Sequence, residues 1–253
     1  MIGSFGWQSM NYYNYFTEIE EHFVRRRGKH LLISPMDWSL IATWRDTGIP
    51  LQVAIRGIDI AMDHFFASPR RGTSRINSLF YCHDSVMAEY ANYLESHVGE
   101  SSEKAQKVEE GGETSSDVDD ESARTEATAF IYARIGEIKE LSVKQSSVED
   151  INEGIERVLS RLEEIAQNLE TGAQVDLETL ERDLGIVDDI LVTALRPVIP
   201  PEQIVDWEKE AKAELKVYRK RLPKETYDKI RANYLRGKIH QWFDIEELSF
   251  FRL

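Results

Sequence analysis

Cysteine is nearly absent from this chain of 253 residues, in which Cys82 is the only one. A single cysteine excludes an internal disulfide and a cysteine-rich zinc site, and it fits a reducing compartment. The first residues lack the basic segment and the apolar run of a secretory signal. No run of consecutive apolar residues approaches the roughly 20 that cross a membrane. We therefore expect a cytoplasmic protein without a membrane partner.

The short motifs that hold phosphates or metals are also missing from the sequence. It contains no GxGxxG, no GxxxxGKS or GxxxxGKT, and no HExxH. Its six histidines are scattered along the chain, without the spacing of a ligand cluster. We predict no cofactor, no metal site and no enzymatic activity.

Two pairs of titratable residues are close together in the sequence. Cys82 and His83 are adjacent and would point to different faces of a helix, which favours a buried small side chain over a nucleophile. Asp59 and Asp63 are four apart and share a helical face. Paired carboxylates serve acid–base or metal chemistry, although solvated surface residues show the same spacing. An enzyme whose site is assembled from residues distant in sequence, such as Asp59 and Asp63 with a histidine, is therefore retained as a third alternative.

Positive charge is scarce in the middle of the chain. The formal net charge is −14, of which residues 1–97 contribute −1 and residues 201–253 contribute +2. Residues 98–127 carry −7 and residues 128–200 carry −8. This distribution excludes a protein that is basic over its whole surface, so any site for an anion must be local.

Apolar residues recur every three or four positions along most of the chain, which predicts an all-α fold. The segment Ser34–Asp37 combines an N-cap, a proline at the first helical position and a capping box. Gly48 then separates that helix from the next one, which gives a helix-turn-helix-like corner. The run Leu31–Ile33 is the one short segment that suits a strand. We predict an N-terminal helical module over residues 1–97.

The rest of the chain divides into an acidic segment and a second helical region. Residues 98–126 are polar and acidic, and they bury too little apolar surface to offset the entropy of ordering. We predict a flexible, disordered linker there, with an acidic partner-binding segment as the alternative. Coiled-coil-like apolar seams from Ile151 to Leu169 and from Leu177 to Ala194 are joined by a short turn. They predict an antiparallel helical hairpin or bundle over residues 127–253.

Two groups of basic residues are candidates for binding an anion or a nucleic acid. If the fold brings them together beside the helix-turn-helix-like corner, they form a local anion site. Alternatively, the first group complements the end of a helix and the second solvates a loop. The stretch from Lys216 to Lys224 has the same two interpretations. The groups are Arg25, Arg26, Arg27 and Lys29, and Arg70, Arg71 and Arg75.

The last residues of the sequence are unusually apolar. A disordered tail does not normally have this composition, so we predict that the segment packs back on the fold or docks on a protein partner. The candidate interaction residues are Leu248, Phe250, Phe251 and Leu253.

Four segments of the N-terminal half follow a recognisable pattern: Ile19–Phe23, Leu32–Trp44, Gly48–Val53 and Ile58–Ala61. Over residues 15–90 they resemble the DnaD-like helical domain of bacterial primosome proteins. The resemblance implies a compact helical domain that acts in replication initiation or restart, with DNA and protein partners.

The sequence departs from that family at the helix that binds DNA. The family's pattern there is YxxxIxxxW, and the positions in register are Arg75, Leu79 and His83. The aliphatic position matches, but the two aromatic positions do not. Because stacking on aromatic rings is a main source of affinity for single strands, the departure bears on DNA binding more than on the fold.

These observations lead to the hypothesis of a non-catalytic intracellular adaptor. Its N-terminal module would dock on nucleic acid or on a replication-type protein, and its C-terminal helices would associate with a protein partner or with another copy. The alternative is a structural protein-interaction subunit of a larger assembly, without nucleic-acid binding.

Overall fold

A computed structural model describes residues 15–28, 33–67, 76–98, 116–144, 149–171 and 177–249. All regular structure in these ranges is helical, which confirms the predicted all-α class. Ile33 lies in an irregular segment, and the other two residues of the candidate strand fall outside the described ranges. The α-helices are α1 Tyr15–Arg27, α2 Pro35–Asp46, α3 Leu51–Ala67, α4 His83–Val98, α5 Ser116–Lys144, α6 Glu149–Glu170, α7 Leu177–Leu195, α8 Pro201–Glu214 and α9 Lys224–Phe243.

Helix α2 begins with the capping box that the sequence predicts. The backbone N–H of Asp37 donates to Ser34 Oγ at 3.1 Å, and the backbone N–H of Ser34 donates to Asp37 Oδ2 at 3.2 Å. Pro35 occupies the first helical position, where its missing N–H costs nothing. The local sequence is therefore sufficient to place this helix start.

Gly48 ends the same helix, also as predicted. Its φ of 80° lies in the left-handed region, which glycine adopts without strain. The backbone N–H of Gly48 donates to Arg45 O at 2.8 Å and that of Ile49 donates to Trp44 O at 3.0 Å, the bonds of a Schellman motif. Helix α3 starts three residues after Gly48, which forms a tight corner between α2 and α3.

Helices α3 and α4 lie antiparallel and in close contact. Gly57, in the first half of α3, approaches Val86 near the start of α4. Phe65, near the end of α3, contacts the ring of Tyr81, just before α4, edge-on at 5.7 Å. The approach at Gly57 is so close that a Cβ there would overlap the backbone of Val86. Helices α3 and α4 can therefore pack this closely only because position 57 has no side chain.

The chain forms two compact units, and the first is discontinuous in sequence. It consists of the described residues of Met1–Val108 together with Ala213–Tyr234, whereas residues 127–253 had been expected to form one region. Tyr218 stacks on Phe80 with ring centroids 4.4 Å apart. Asn233 Nδ2 donates to Thr43 Oγ1 at 3.2 Å. Such long-range contacts leave no trace in the local pattern of apolar residues, which explains the difference.

The second unit consists of the described residues of Glu109–Lys212 and Leu235–Phe251. Its helices α5, α6 and α7 pack antiparallel in succession. Lys139 and Tyr132 of α5 contact Glu163 and Glu170 of α6 at 3.0 Å and 2.7 Å, an order that requires opposite helix directions. Near the start of α6, a Cβ on Gly154 would overlap that of Ala194, near the end of α7. This arrangement agrees with the antiparallel hairpin predicted from the two apolar seams.

Helix α5 begins inside the segment predicted to be a disordered linker. The prediction covered residues 98–126, but the chain is helical from Ser116 onward, while residues 99–115 lie outside the described ranges. Acidic residues are favoured in the first turns of a helix, so the acidic sequence after position 116 suits a helix start as well as a linker. Low apolar content alone therefore did not distinguish a helix start from a disordered linker.

No helix in the described ranges has both the length and the apolar composition that a membrane span requires.

Candidate nucleic-acid interface

Three consecutive arginines form the last turn of α1, where positive charge complements the helix dipole. Arg25 is exposed, and its Nη2 lies 3.0 Å from Nδ1 of His22, one turn earlier. Lys29, the fourth member of this basic group, lies outside the described residues. The three arginines have different surroundings, so they do not form one uniform basic surface.

Arg26 is neutralised by the carboxylates of α3. Its Nε lies 3.0 Å from Asp59 Oδ1, and its Nη2 contacts Asp63. The same Asp59 oxygen lies 2.8 Å from Nε2 of His22. The two aspartates that share a face of α3 thus link α3 to α1, an arrangement that accounts for their spacing without chemistry. Within the described ranges, no cluster of three or more His, Cys, Asp or Glu side chains is suited to a metal ion.

Arg27 connects the end of α1 with the segment that follows the second basic group. Its guanidinium lies 5.1 Å above the ring of Phe23, and its Nη1 donates to the carbonyl oxygen of Asn77 at 3.4 Å. Asn77 follows Arg75 by two residues in the sequence. Arg70, Arg71 and Arg75 themselves lie outside the described residues. The contact therefore brings the first basic group to the chain segment directly after the second.

The third basic stretch lies in the residues that the C-terminal half contributes to the first unit. We call Lys216–Lys224 the basic turn. It runs through the 3-10 helix Leu215–Val217 and the turn before α9. All five of its cationic residues are exposed: Lys216, Arg219, Lys220, Arg221 and Lys224.

Two of the three positions that correspond to the DNA-binding pattern of the DnaD-like domain are buried. Leu79 is fully buried and His83 is 3% exposed, while Arg75 lies outside the described residues. The indole N–H of Trp44 donates to Nδ1 of His83 at 3.0 Å, and the two rings are parallel. Burial lowers the pKa of His83, although Asp84 acts in the opposite direction. A neutral imidazole is thus part of the core and is not available to stack on a base.

Cys82 is inert in its surroundings. Burial, and secondarily the charge of Asp37, raises the pKa of its thiol from 9.0 to about 12. Because the thiolate is the nucleophilic form, the thiol is unreactive near neutral pH. Asp37 itself is fully buried, and its Oδ1 accepts hydrogen bonds from Ser78 Oγ at 2.6 Å and from the backbone N–H of Leu79 at 2.9 Å. It therefore joins the start of α2 to the 3-10 helix before α4.

A buried charged cluster in the second unit has no counterpart in the sequence predictions. Asp188 of α7 is 3% exposed, and its Oδ1 lies 3.0 Å from Nε2 of His240 while its Oδ2 lies 3.3 Å from Nε of Arg236. Burial alone would raise the pKa of Asp188, but His240 and Arg236 hold it below its ordinary value. The sequence offered one indication that Asp188 is buried, since it follows Leu184 by four residues and so lies on the apolar face of α7.

The same cluster holds the end of the chain. The backbone N–H of Leu248 donates to Asp188 Oδ1 at 3.1 Å, and the Leu248 side chain is 2% exposed. Ser249 Oγ donates to Glu181 at 2.6 Å. Of the two outcomes expected for this apolar segment, Leu248 adopts the first, packing back on the fold. Phe250, Phe251 and Leu253 lie outside the described residues.

Comparison with known proteins gives one partial match. A family model described only as "Uncharacterised protein" matches residues 9–102, which include α1 to α4. No curated protein and no solved structure matches the chain. The matched range lies within the first unit, and it includes the three arginines of α1 but not the basic turn.

Proposed function

We propose that the chain is a non-catalytic adaptor whose first unit associates with nucleic acid through basic residues at the end of α1. The proposal is carried by the contact of Arg27 with the carbonyl of Asn77, which joins the end of one basic group to the segment after the other. The sequence predicts a local anion site if the two groups come together, and Arg70, Arg71 and Arg75 themselves lie outside the described residues. Lys and Arg side chains that neutralise phosphates supply most of the sequence-independent affinity of such sites.

The surroundings of the titratable side chains support the non-catalytic part of the proposal. Cys82 has a raised pKa, and His83 is bonded to Trp44 inside the core. The carboxylate of Asp59 is occupied by His22 and Arg26. These three groups are buried or bonded within the fold, which favours association over catalysis as the role of the first unit.

The test measures binding of the full chain to a fluorescently labelled single strand and to the matching duplex, over a series of salt concentrations. The variant Arg25→Gln/Arg27→Gln leaves Arg26 unchanged, because Arg26 links α1 to α3. The control Arg157→Gln/Arg161→Gln removes the same charge from exposed positions on α6. We expect salt-dependent binding that weakens in the first variant and persists in the control. Absence of wild-type binding at low salt, or equal weakening in both variants, overturns the proposal.

A second role, protein association through the second unit, is supported by its exposed apolar side chains. Ile186 on α7 is 54% exposed and Tyr132 on α5 is 48% exposed. Val205 and Trp242 are 48% and 47% exposed. Apolar side chains of this size at a surface are typical of interaction sites when they are contiguous. Light scattering coupled to size exclusion tests self-association, and the substitution Ile186→Glu should reduce it. A monomeric wild-type chain at high concentration excludes another copy as the partner.

A further inference from the structure

The basic turn concentrates more unpaired positive charge than any other described segment of comparable length. Five of the nine residues from Lys216 to Lys224 are cationic, and none is acidic. Within the described part of the chain, no ion pair or hydrogen bond engages the side chains of these five residues. Like charges repel at this density, so an uncompensated cluster is a binding surface for anions or a cost to the fold.

Some other described cations, unlike those of the basic turn, contact carboxylates of the chain. Arg26 contacts Asp59 and Asp63, and Arg134 contacts Glu137 and Glu246. Such contacts satisfy the guanidinium within the chain and lower the field that it presents to a ligand. The five cations of the basic turn have no such contact, so their full field is available to a ligand from solution.

The basic turn is held in a defined shape. Leu215, directly before the basic turn, and Leu222, inside it, are buried at 0% and 8% exposure. The backbone N–H groups of Arg221 and Leu222 both donate to the carbonyl of Tyr218, at 2.9 and 3.0 Å. A charged surface with a preformed backbone loses less conformational entropy on binding than a free loop of the same composition.

The position of the basic turn relates it to the arginines of α1. The ring of Tyr218 stacks on Phe80 at 4.4 Å, and Phe80 follows Asn77 by three residues. Asn77 is the residue whose carbonyl accepts a hydrogen bond from Arg27. The basic turn and the end of α1 thus contact the same short segment of the first unit. This shared segment favours an extended polyanion over a single small anion as a ligand that contacts both.

From these observations we propose that the basic turn is the principal phosphate-binding surface of the first unit and that its ligand is the backbone of a nucleic acid. This inference rests on the proposed function, and it assigns the main contact to residues far from the α1 arginines in sequence. A lipid surface fits less well, because interfacial segments gain much of their affinity from apolar side chains that insert between headgroups. Val217, at 78% exposure, is the one large apolar side chain that the turn exposes.

The decisive experiment compares two variants with the same composition and the same net charge. In the first, Lys216→Gln/Lys220→Gln/Lys224→Gln neutralises the lysines of the basic turn. In the second, three exposed lysines that have carboxylate partners are changed to glutamine. These are Lys139, Lys209 and Lys212, which lie 3.0, 2.9 and 3.5 Å from Glu163, Asp206 and Glu208.

The affinity for the labelled single strand is measured against salt concentration for the wild type and both variants. For single strands each phosphate contact contributes about 0.7 to the slope of log K against log salt. We expect the basic-turn variant to lose about 2 from this slope and about tenfold or more in affinity at low salt. The control variant should retain the wild-type slope. Unchanged urea midpoints for both variants ensure that lost binding does not reflect unfolding.

Each outcome distinguishes this inference from the proposed function. Equal slopes for the two variants, with binding that still requires Arg25 and Arg27, overturn the basic turn as the main contact and leave the proposed function standing. If the wild type does not bind nucleic acid at low salt, both this inference and the proposed function are overturned. A parallel series uses vesicles of mixed anionic and zwitterionic phospholipid. Tighter binding to the vesicles than to the nucleic acid, lost in the basic-turn variant, identifies a membrane surface as the ligand and contradicts the inference.

Discussion

Asp244 ends α9 in a backbone conformation that favours glycine. Its φ is 54°, and the backbone N–H groups of Asp244 and Ile245 donate back to Gln241 O and His240 O. The same left-handed position after α1 and after α2 is occupied by Gly28 and Gly48, with φ of 74° and 80°. An L-residue in this region carries a steric cost that glycine avoids. The negative charge of Asp244 at a helix C-terminus adds a small electrostatic cost.

The substitution Asp244→Gly should therefore stabilise the second unit. We expect an increase of about 0.5 kcal/mol in the free energy of unfolding, because the relief of strain exceeds the extra entropy of glycine in the unfolded chain. Urea titration followed by circular dichroism measures the change. Asp244→Asn removes the charge but keeps a side chain, so it isolates the electrostatic part and should gain less. A lower midpoint for Asp244→Gly than for the wild type would show that the side chain of Asp244 contributes more than its backbone costs.

At the scale of single residues, the sequence identified the basic side chains but not their partners. The arginines at the end of α1 were visible as a cluster, yet the pairing of Arg26 with Asp59 joins residues 33 positions apart. The spacing of Asp59 and Asp63 correctly placed both on one face of α3, but nothing local specified which side chains face them. Lys216–Lys224 was noted only as a basic stretch, because exposure and the lack of a partner are properties of the folded chain.

At the scale of helices, the substitution Gly57→Ala tests the close approach of α3 and α4. The added Cβ would overlap the backbone of Val86, which cannot rotate away as a side chain can. We expect a loss of about 1 to 3 kcal/mol in the free energy of unfolding, typical of overpacked cores. Gly136→Ala is the matched control, since a Cβ at that position of α5 meets nothing within 4 Å.

The control should respond in the opposite direction. Alanine is favoured over glycine by about 1 kcal/mol at an open helix position, so Gly136→Ala should raise the urea midpoint. If both substitutions raise it, helix propensity dominates at position 57 and the two helices separate at little cost. If both lower it, the exposed site in α5 has a constraint beyond those of an open helix surface.

Helix starts and stops were predictable where the signal is local. The capping box of Ser34 and Asp37 and the stop at Gly48 follow from interactions within a few residues. The start of α5 at Ser116 was not predictable in the same way, because an acidic segment of low apolar content suits both a helix start and a linker. In the sequence, Gly57 did not indicate a close helix contact, because a glycine inside a helical pattern is more often interpreted as a residue that destabilises the helix.

At the scale of the whole molecule, the order of the units along the chain differs from a simple succession of domains. Ala213–Tyr234 belongs to the first unit, although the second unit precedes it in sequence from Glu109 to Lys212. The apolar periodicity predicted the helices of this region but assigned them to the C-terminal half. Periodicity indicates which face of a helix is buried, but it does not indicate which distant element covers that face.

This organisation predicts that the N-terminal region cannot fold fully when it is excised. A fragment of residues 1–98 lacks Tyr218, which covers Phe80, and Asn233, which donates to Thr43 and Asp46. Phe80 is 6% exposed in the whole chain and would lose the ring stacked on it. We expect a lower urea midpoint, a broader transition and binding of a hydrophobic dye by the fragment, because exposed aromatic surface weakens the packing that defines a native state.

Restoring the missing residues should reverse these effects. In a fusion of residues 1–98 to residues 213–234 through a flexible glycine–serine linker, the covering contacts are supplied within one chain and the cost of loop closure grows only slowly with linker length. A fusion with residues 213–234 in scrambled order has the same composition and should remain like the bare fragment. If the bare fragment instead unfolds as sharply and at the same urea concentration as the native fusion, the first unit is complete without the distant residues. The family match over residues 9–102 would then describe an independent domain, and the basic turn would be a ligand-binding surface that the domain does not need in order to fold.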